Sequence, residues 1–400
     1  MTAQVPRNVP VVLPARTPGR RRRGLFPPYQ WATWLYGVCL AVTGAGMLTV
    51  ALRDALLTPE GLAIGVLLAV LVTLLLTAVV RRLDLFEDEP AGLLVAAWAW
   101  GFVAAPTLVV VANDHLVAVF ERLGLASWAA AVAGPTDEEL VKVLGVVLVL
   151  YAGRAQVTRP LNGLVYGAMV GLGFEVSENI SYVVQGAVMD PGSDVVGALQ
   201  VGVGRVLVGL GGHAMFTAVA GFGIAYALTA FGVPTARRVA VAAGTYLLAW
   251  ALHFAWNAPE IFFPTSEAGA FAAVFVKYLV LVLAFVLVVR TARQVDHRWF
   301  ETVLADQPED VVTPGELEVL RSIQARRTAR RAARRAGGRA ASRRLADLQE
   351  AQLRLATLLG LHPDGSLPVE IQKQVVREIR ARLPLPVQDP PSVQPAPSAG

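Results

Sequence analysis

The sequence predicts an all-α protein: a polytopic bundle of about eight transmembrane helices with a basic, helical cytosolic tail at its C-terminus. Three observations predict it. Of 400 residues, 55% are hydrophobic and only 16% charged, against about 25% charged in soluble domains. Mean hydropathy is +0.53. Several apolar stretches reach about 20 residues, the length of a helix that spans a bilayer. The single cysteine, Cys39, excludes an intrachain disulfide and a cysteine metal cluster.

Residues 1–29 are rich in proline and arginine and read as a disordered basic cytosolic arm, with no cleavable signal sequence. Apolar segments follow at 30–52, 61–80, 90–112, 137–153, 161–184, 195–231, 239–258 and 269–290. Their connections are uneven in charge. Arg20 to Arg23, Arg81 and Arg82, Arg154 and Arg159, Arg237 and Arg238, and Arg290 and Arg293 fall on one side. The positive-inside rule makes that side cytoplasmic, together with both termini. The sixth segment is too long for one straight span, and "GLGG" at 209–212 breaks it, giving either a kinked helix or a short re-entrant or interfacial piece plus a span. Gly163, Gly167 and Gly171 recur every four residues and mark a helix face built for close contact.

The chain divides into the arm 1–29, a membrane core 30–290 with its motifs in 130–260, a tail 291–383 and a proline-rich end 384–400. The tail opens on a capping box, Thr313, Pro314 and Glu316. Its long helical stretch carries ten arginines between Arg321 and Arg344, interrupted at Gly337 and Gly338. Both basic flanks are expected to meet anionic lipid headgroups rather than nucleic acid.

Ionisable residues inside a membrane are costly, so each one is a functional candidate. The fourth segment holds Glu138, Glu139 and Lys142, spaced for an ion pair along one face and expected near the external surface. The fifth holds Glu175, Glu178 and Asn179, the sixth Arg205 and His213, and the seventh His253 and Asn257 on one face. Counting ~1.5 Å per residue from the inner ends puts Glu175, Glu178 and His253 at similar depth in the external half. Glutamate and neutral histidine at one level suit Zn²⁺ or another divalent ion. The same set also suits a carboxylate that activates water directly, with histidine and asparagine stabilising an oxyanion. Taken singly, each residue has a plainer reading: an interhelical hydrogen bond for a histidine, a solvated helix start for the paired glutamates. Asp114, His115 and Glu121 are expected in an external loop and are assigned nothing.

At these residues the sequence resembles the PrsW family of intramembrane proteases, within the superfamily of CAAX and bacteriocin-processing membrane proteases. The resemblance rests on "DEELVK" (137–142), "LNGLVYGAMVGLGFEVSENISYV" (161–183), Arg205 with "GGHAMFTAVAGFG" (211–223), and "LHFAWN" (252–257). It implies a peptidase, metal-dependent or glutamate-only, acting on a membrane-embedded protein near the extracytoplasmic face, such as an anti-sigma factor in a stress response. Glu138 or Glu139 would be the water-activating base. Glu178, His213 and His253 would complete a metal or oxyanion site, with Asn257 supporting it. Asn162 departs from the acid expected before the Gly-x-x-Tyr-Gly run. Of the pair in the fifth segment, Glu178 is expected to act and Glu175 to support it. The competing reading from the same cluster is a proton- or cation-coupled transporter.

Overall fold

The computed structural model describes residues 31–83, 89–154, 157–230, 233–259 and 266–383. The expected arm 1–29 and proline-rich end 384–400 lie outside the described residues. Every regular element among the described residues is helical: α1 (Trp31–Leu57), α2 (Pro59–Val80), α3 (Ala91–Ala99), a π-helical turn (Trp100–Ala104), α4 (Ala105–Arg122), α5 (Ala126–Ala152), α6 (Pro160–Met189), α7 (Asp194–Gly209), α8 (Gly212–Thr229), α9 (Thr235–Asn257), α10 (Glu267–Ala305), α11 (Pro314–Leu320), α12 (Ile323–Leu361) and α13 (Leu367–Ala381). Six helical stretches are long and apolar enough to cross a membrane. The two remaining expected spans are α5 and α6, whose apolar runs are interrupted by the carboxylates and the lysine found in the motifs.

α6 is the centre of the bundle. It is buried from Pro160 to Ser177 and packs against α2, α3, the π turn, α5, α7, α8 and α10. Glycine makes this possible. A Cβ at Gly163 would collide with the carbonyl of Gly221, one at Gly167 with that of Thr217, and one at Gly171 with that of His213. Toward the other end of α6 the backbones of Gly186 and Gly197 approach equally closely. α7 and α8 therefore run antiparallel along α6 as one broken helix. Of the two forms expected for the sixth segment, the kinked helix is the one seen.

The break is fully served. Gly211 has φ +78°, a left-handed conformation that glycine adopts without steric cost. Its N–H donates to Glu175 Oε1 at 2.7 Å, and the Leu210 carbonyl accepts from the Tyr278 hydroxyl of α10 at 2.8 Å. Backbone freed inside a membrane protein needs such partners because lipid supplies none. A second irregularity, the π turn, swings the Trp100 indole onto Gly145, where no Cβ would fit, and its Nε1 donates to the Val141 carbonyl at 3.0 Å. This fastens α5 one residue before Lys142.

Two boundaries differ from expectation. α5 begins at Ala126, eleven residues before the predicted start, because its alanine-rich first turns accommodate Pro135 inside the helix. Glu138 and Glu139 therefore sit at mid-helix, not at a surface end. Asp114, His115 and Glu121 belong to α4, not to a loop.

α10 runs unbroken from the bundle into the tail. There Phe300, Leu304, Val312, Leu320, Leu355 and Val376 share a separate apolar core with α11, α12 and α13. The capping box forms as expected: Glu316 N–H donates to Thr313 Oγ1 at 3.2 Å, and Thr313 N–H to Glu316 Oε2 at 3.0 Å. Arg159, at the start of α6, pairs with Asp296 of α10 at 3.0 Å with both side chains buried. The arginine thus joins the membrane bundle to the tail.

Two predictions follow from this packing. Gly167→Val forces α6 and α8 apart, and overpacking of this kind costs about 1–3 kcal/mol; thermal unfolding in detergent should show the drop. In the tail, hydrogen bonds from Arg377 and Lys373 hold the carboxyls of Asp310 and Asp364 below the usual aspartate range. A depressed folded value means stabilisation that is complete above about pH 4 and is lost as the pH falls through the folded value. Amide protection factors across 306–383, corrected for the intrinsic pH dependence of exchange, should fall on acidification, and the double variant Asp310→Asn, Asp364→Asn should lose that pH dependence.

Candidate active site

Four helices bring the motifs to one place. Measured from the helix ends on the arginine-rich side, Glu138 lies ~21 Å along α5, His213 ~24 Å along α8, and Glu178 and His253 ~27 Å along α6 and α9. Carboxylates meet cations directly. Lys142 Nζ is 2.6 Å from Glu139 Oε1 and 3.4 Å from Glu138 Oε2, so the ion pair expected along α5 is present. The same ammonium reaches across to α8, 3.0 Å from His213 Nδ1, and lies 4.4 Å from the centre of the Phe174 ring.

The hydrogen bonds fix what each histidine offers. An ammonium only donates, so His213 Nδ1 accepts from Lys142 and His213 Nε2–H points to Glu178 Oε2, 3.2 Å away. His253 Nδ1–H donates to Glu139 Oε1 at 2.9 Å, leaving its Nε2 lone pair facing Glu138, 3.8 Å away. The His253 ring is stacked on Phe216 and stands perpendicular to His213, with ring centres 5.0 Å apart in the second case. Glu139 is fully occupied: Lys142 and His253 at one oxygen, and the Thr217 hydroxyl donating to the other at 3.4 Å.

Exposure grades across this cluster. The side chains of Glu139 and Lys142 are 0% exposed, whereas those of Glu178 and Arg205 are 25% and 30% exposed. The accessible end is therefore the Glu178 end. There Arg205 donates to Glu178 Oε2 at 2.5 Å and to Asn179 Oδ1, and its guanidinium stacks on Tyr182. Opposite, the Asn257 amide and the Glu138 carboxylate both lie 3.2 Å from the point where a Gly134 Cβ would stand. A side chain at position 134 would crowd both groups by a few tenths of an ångström.

Glu175 was expected to support Glu178. It instead accepts the Gly211 N–H and so holds the first turn of α8, which carries His213. Asn162, the departure from the family pattern, caps α6: its Oδ1 accepts the N–H of Thr158 and Arg159 at 3.0 and 2.8 Å, and its amide donates to Glu89 Oε1 at 2.5 Å. Glu89 also accepts from the Tyr166 hydroxyl. The sequence reading missed Glu89, Thr217 and Phe216. The last two were within reach, lying four and three residues after His213 on one helix face.

The family model of PrsW intramembrane metalloproteases matches residues 89–289, half of the chain. The chain belongs to this family. It is therefore a peptidase and an integral membrane protein whose substrate is another membrane protein. No curated protein matches it, and no solved structure does. In this PrsW protease the matched region spans α3 to the membrane part of α10, while α1, α2 and α11 to α13 lie outside it.

The donor set suits the divalent ion that the family description implies. Glu138, His213 and His253 each offer one ligand atom, and these atoms lie within 4.8 Å of one another. Two imidazoles and a carboxylate with a further position open form a common catalytic zinc set. His253 is already oriented for it by Glu139, the usual carboxylate behind a metal-bound histidine. His213 can serve only where Lys142 releases its Nδ1. Carboxylates also outnumber cations in the cluster, with Glu138, Glu139, Glu175 and Glu178 facing Lys142 and Arg205. Glu178, included in the ligand set read from the sequence, lies beside this trio, on His213 and Arg205.

Purified protein should therefore carry less divalent ion per chain after Glu138→Gln, His213→Ala or His253→Ala. Lys142→Met should carry as much or more. Elemental analysis of the bound metal separates these outcomes.

Proposed function

We propose that this PrsW protease cuts a single-span membrane protein close to the extracytoplasmic face, and that a membrane-embedded regulator such as an anti-sigma factor is its substrate class. The observation that carries this reading is the graded cluster: a buried ligand set whose more accessible end presents Glu178 and Arg205, with the Asn257 amide opposite, beside Glu138. The side with Arg81, Arg82, Arg154, Arg237, Arg238 and Arg290 is taken as cytoplasmic, as are both termini. The site then falls in the external half of a ~30 Å core, in a bacterial-type plasma membrane. The basic flanks face anionic headgroups on the inner leaflet.

In the proposed mechanism Glu138, His213 and His253 would hold the ion. When bound, it would supply a Lewis acid for the scissile carbonyl and lower the pKa of an attacking water. Glu178, the accessible carboxylate, takes the proton from that water and returns it to the leaving amide nitrogen. Arg205 aims Glu178 through its hydrogen bond to Oε2. The Asn257 amide donates to the carbonyl oxygen as it gains charge. Glu139 acts through His253, and Glu175 through the first turn of α8. The transporter reading is less favoured, because the ionisable groups form one knot rather than a chain across the bundle.

Single replacements test this against candidate single-span substrates in vesicles. Glu178→Gln is expected to slow fragment release by about 10²–10⁴-fold, the usual contribution of a general base. Glu139→Gln should slow it by about 10–100-fold, as loss of the partner behind a metal-bound histidine does. Normal cleavage by both variants would remove Glu178 and Glu139 from the mechanism. Loss of ion flux, with peptide cleavage absent throughout, would favour the transporter.

A further inference from the structure

The tail beyond residue 289 lies outside the family match, yet it contains a built feature. Within α12, Gly337 and Gly338 leave the helical conformation, and Gly338 adopts φ 71°, ψ −166°, a region open essentially to glycine alone. The chain reverses there. Arg330 Nε donates to Gln349 Oε1 at 2.6 Å across nineteen residues, and Ala329, Ala333, Ala341 and Leu345 form an apolar seam between the two arms. The result is a helical hairpin with its turn at the glycine pair.

The small seam residues keep the arms close, so the arginines of both arms gather round one tip. From Arg327 to Arg343, every arginine except the half-buried Arg330 is exposed. There is no acidic residue between Glu318 and Asp347, and no lysine either. Like charges packed this way repel one another, so the arrangement costs stability unless something anionic neutralises it. Arginine forks bind phosphate oxygens in pairs, which lysine cannot do. The seam takes up Ala329, Ala333, Ala341 and Leu345, and from 331 to 340 the exposed residues are only arginine, alanine and glycine. Shallow insertion of an amphipathic helix is thereby excluded as the binding mode.

Two sources could supply the phosphate, a lipid surface or a nucleic acid. The base of the hairpin favours lipid. Leu353, Ala356 and Thr357 of the second arm line the same small cavity as Trp299, Phe300 and the Arg159–Asp296 pair, and Asp296 is only six residues, ~9 Å, beyond Arg290. The base of the hairpin is thus fastened beside the bilayer, and the tip, fifteen residues or ~22 Å from Leu353, is tethered where headgroup phosphate has a high effective concentration. We propose that the arginine tip of this hairpin binds the phosphates of anionic lipids in the adjacent leaflet. The orientation given above decides only which leaflet that is; contact itself does not depend on it or on peptidase activity.

The test uses the full chain with Cys39→Ser and a fluorophore on Ala336→Cys, reconstituted in nanodiscs that carry a headgroup-level quencher. Phosphatidylcholine discs are compared with discs containing phosphatidylglycerol, over a range of salt. Quenching is expected only with the anionic lipid, to fade as salt rises, and to be lost after Arg331, Arg334, Arg335 and Arg339 are changed to Gln. These exposed positions leave the seam intact, and Gly338→Ala, which alters the turn alone, should weaken quenching as well. Equal quenching in both lipids, or none in either, overturns the proposal. So does a salt-dependent response to a short DNA duplex that outcompetes the anionic discs. Cleavage by the four-Gln variant is followed in parallel, so failure here is distinguishable from failure of the peptidase mechanism.

Discussion

The backbone contact between α6 and α8 is the constraint on which the site depends. Four helices must present charged groups to one another inside a medium that solvates none of them. The separation of the α6 and α8 axes sets where His213 stands relative to Glu178, 3.2 Å away. Gly163, Gly167 and Gly171 remove the side chains from that seam, and the carbonyls of Gly221, Thr217 and His213 move into the space. The position of His213 is therefore set by backbone against backbone, the least compliant contact a protein has.

The charges then form a closed set in which each group does two jobs. Lys142 neutralises Glu139 and also defines the tautomer of His213. Glu139 answers Lys142 and orients His253. Arg205 answers Glu178 and ties down Asn179. Few of these residues can change without leaving a buried partner uncompensated, which is the expensive outcome. The irregular backbone serves the same end. The π turn secures α5 beside Lys142, and the Gly211 break gives α8 a first turn that Glu175 can hold.

Much of this was legible in the sequence, for identifiable reasons. Helix spacing alone relates Glu138, Glu139 and Lys142, the glycine stripe, the Gly-rich break and the Thr313 capping box, because those signals repeat within one element. Contacts between elements were not legible in the same way. That Lys142 reaches His213, that Glu175 serves Gly211 rather than Glu178, and that Glu89 comes to Asn162 all depend on the register between helices, which no local pattern encodes. The start of α5 was missed because Pro135 reads as a boundary, while the surrounding alanines tolerate it inside the helix. The grading of exposure, which singles out Glu178 as the accessible acid, is a property of the assembled bundle alone.

The Arg159–Asp296 pair bears on where this protein can be divided. The family-matched region stops at residue 289, seven residues short of Asp296, whereas the buried guanidinium that needs this aspartate stands at the head of α6. Cutting the chain at the family border would remove the Asp296 half of the buried Arg159–Asp296 ion pair at the base of the helix that carries Glu178. The family-matched region and the packed unit thus have different edges. For this chain the packing of α6 extends past residue 289, into the continuation of α10.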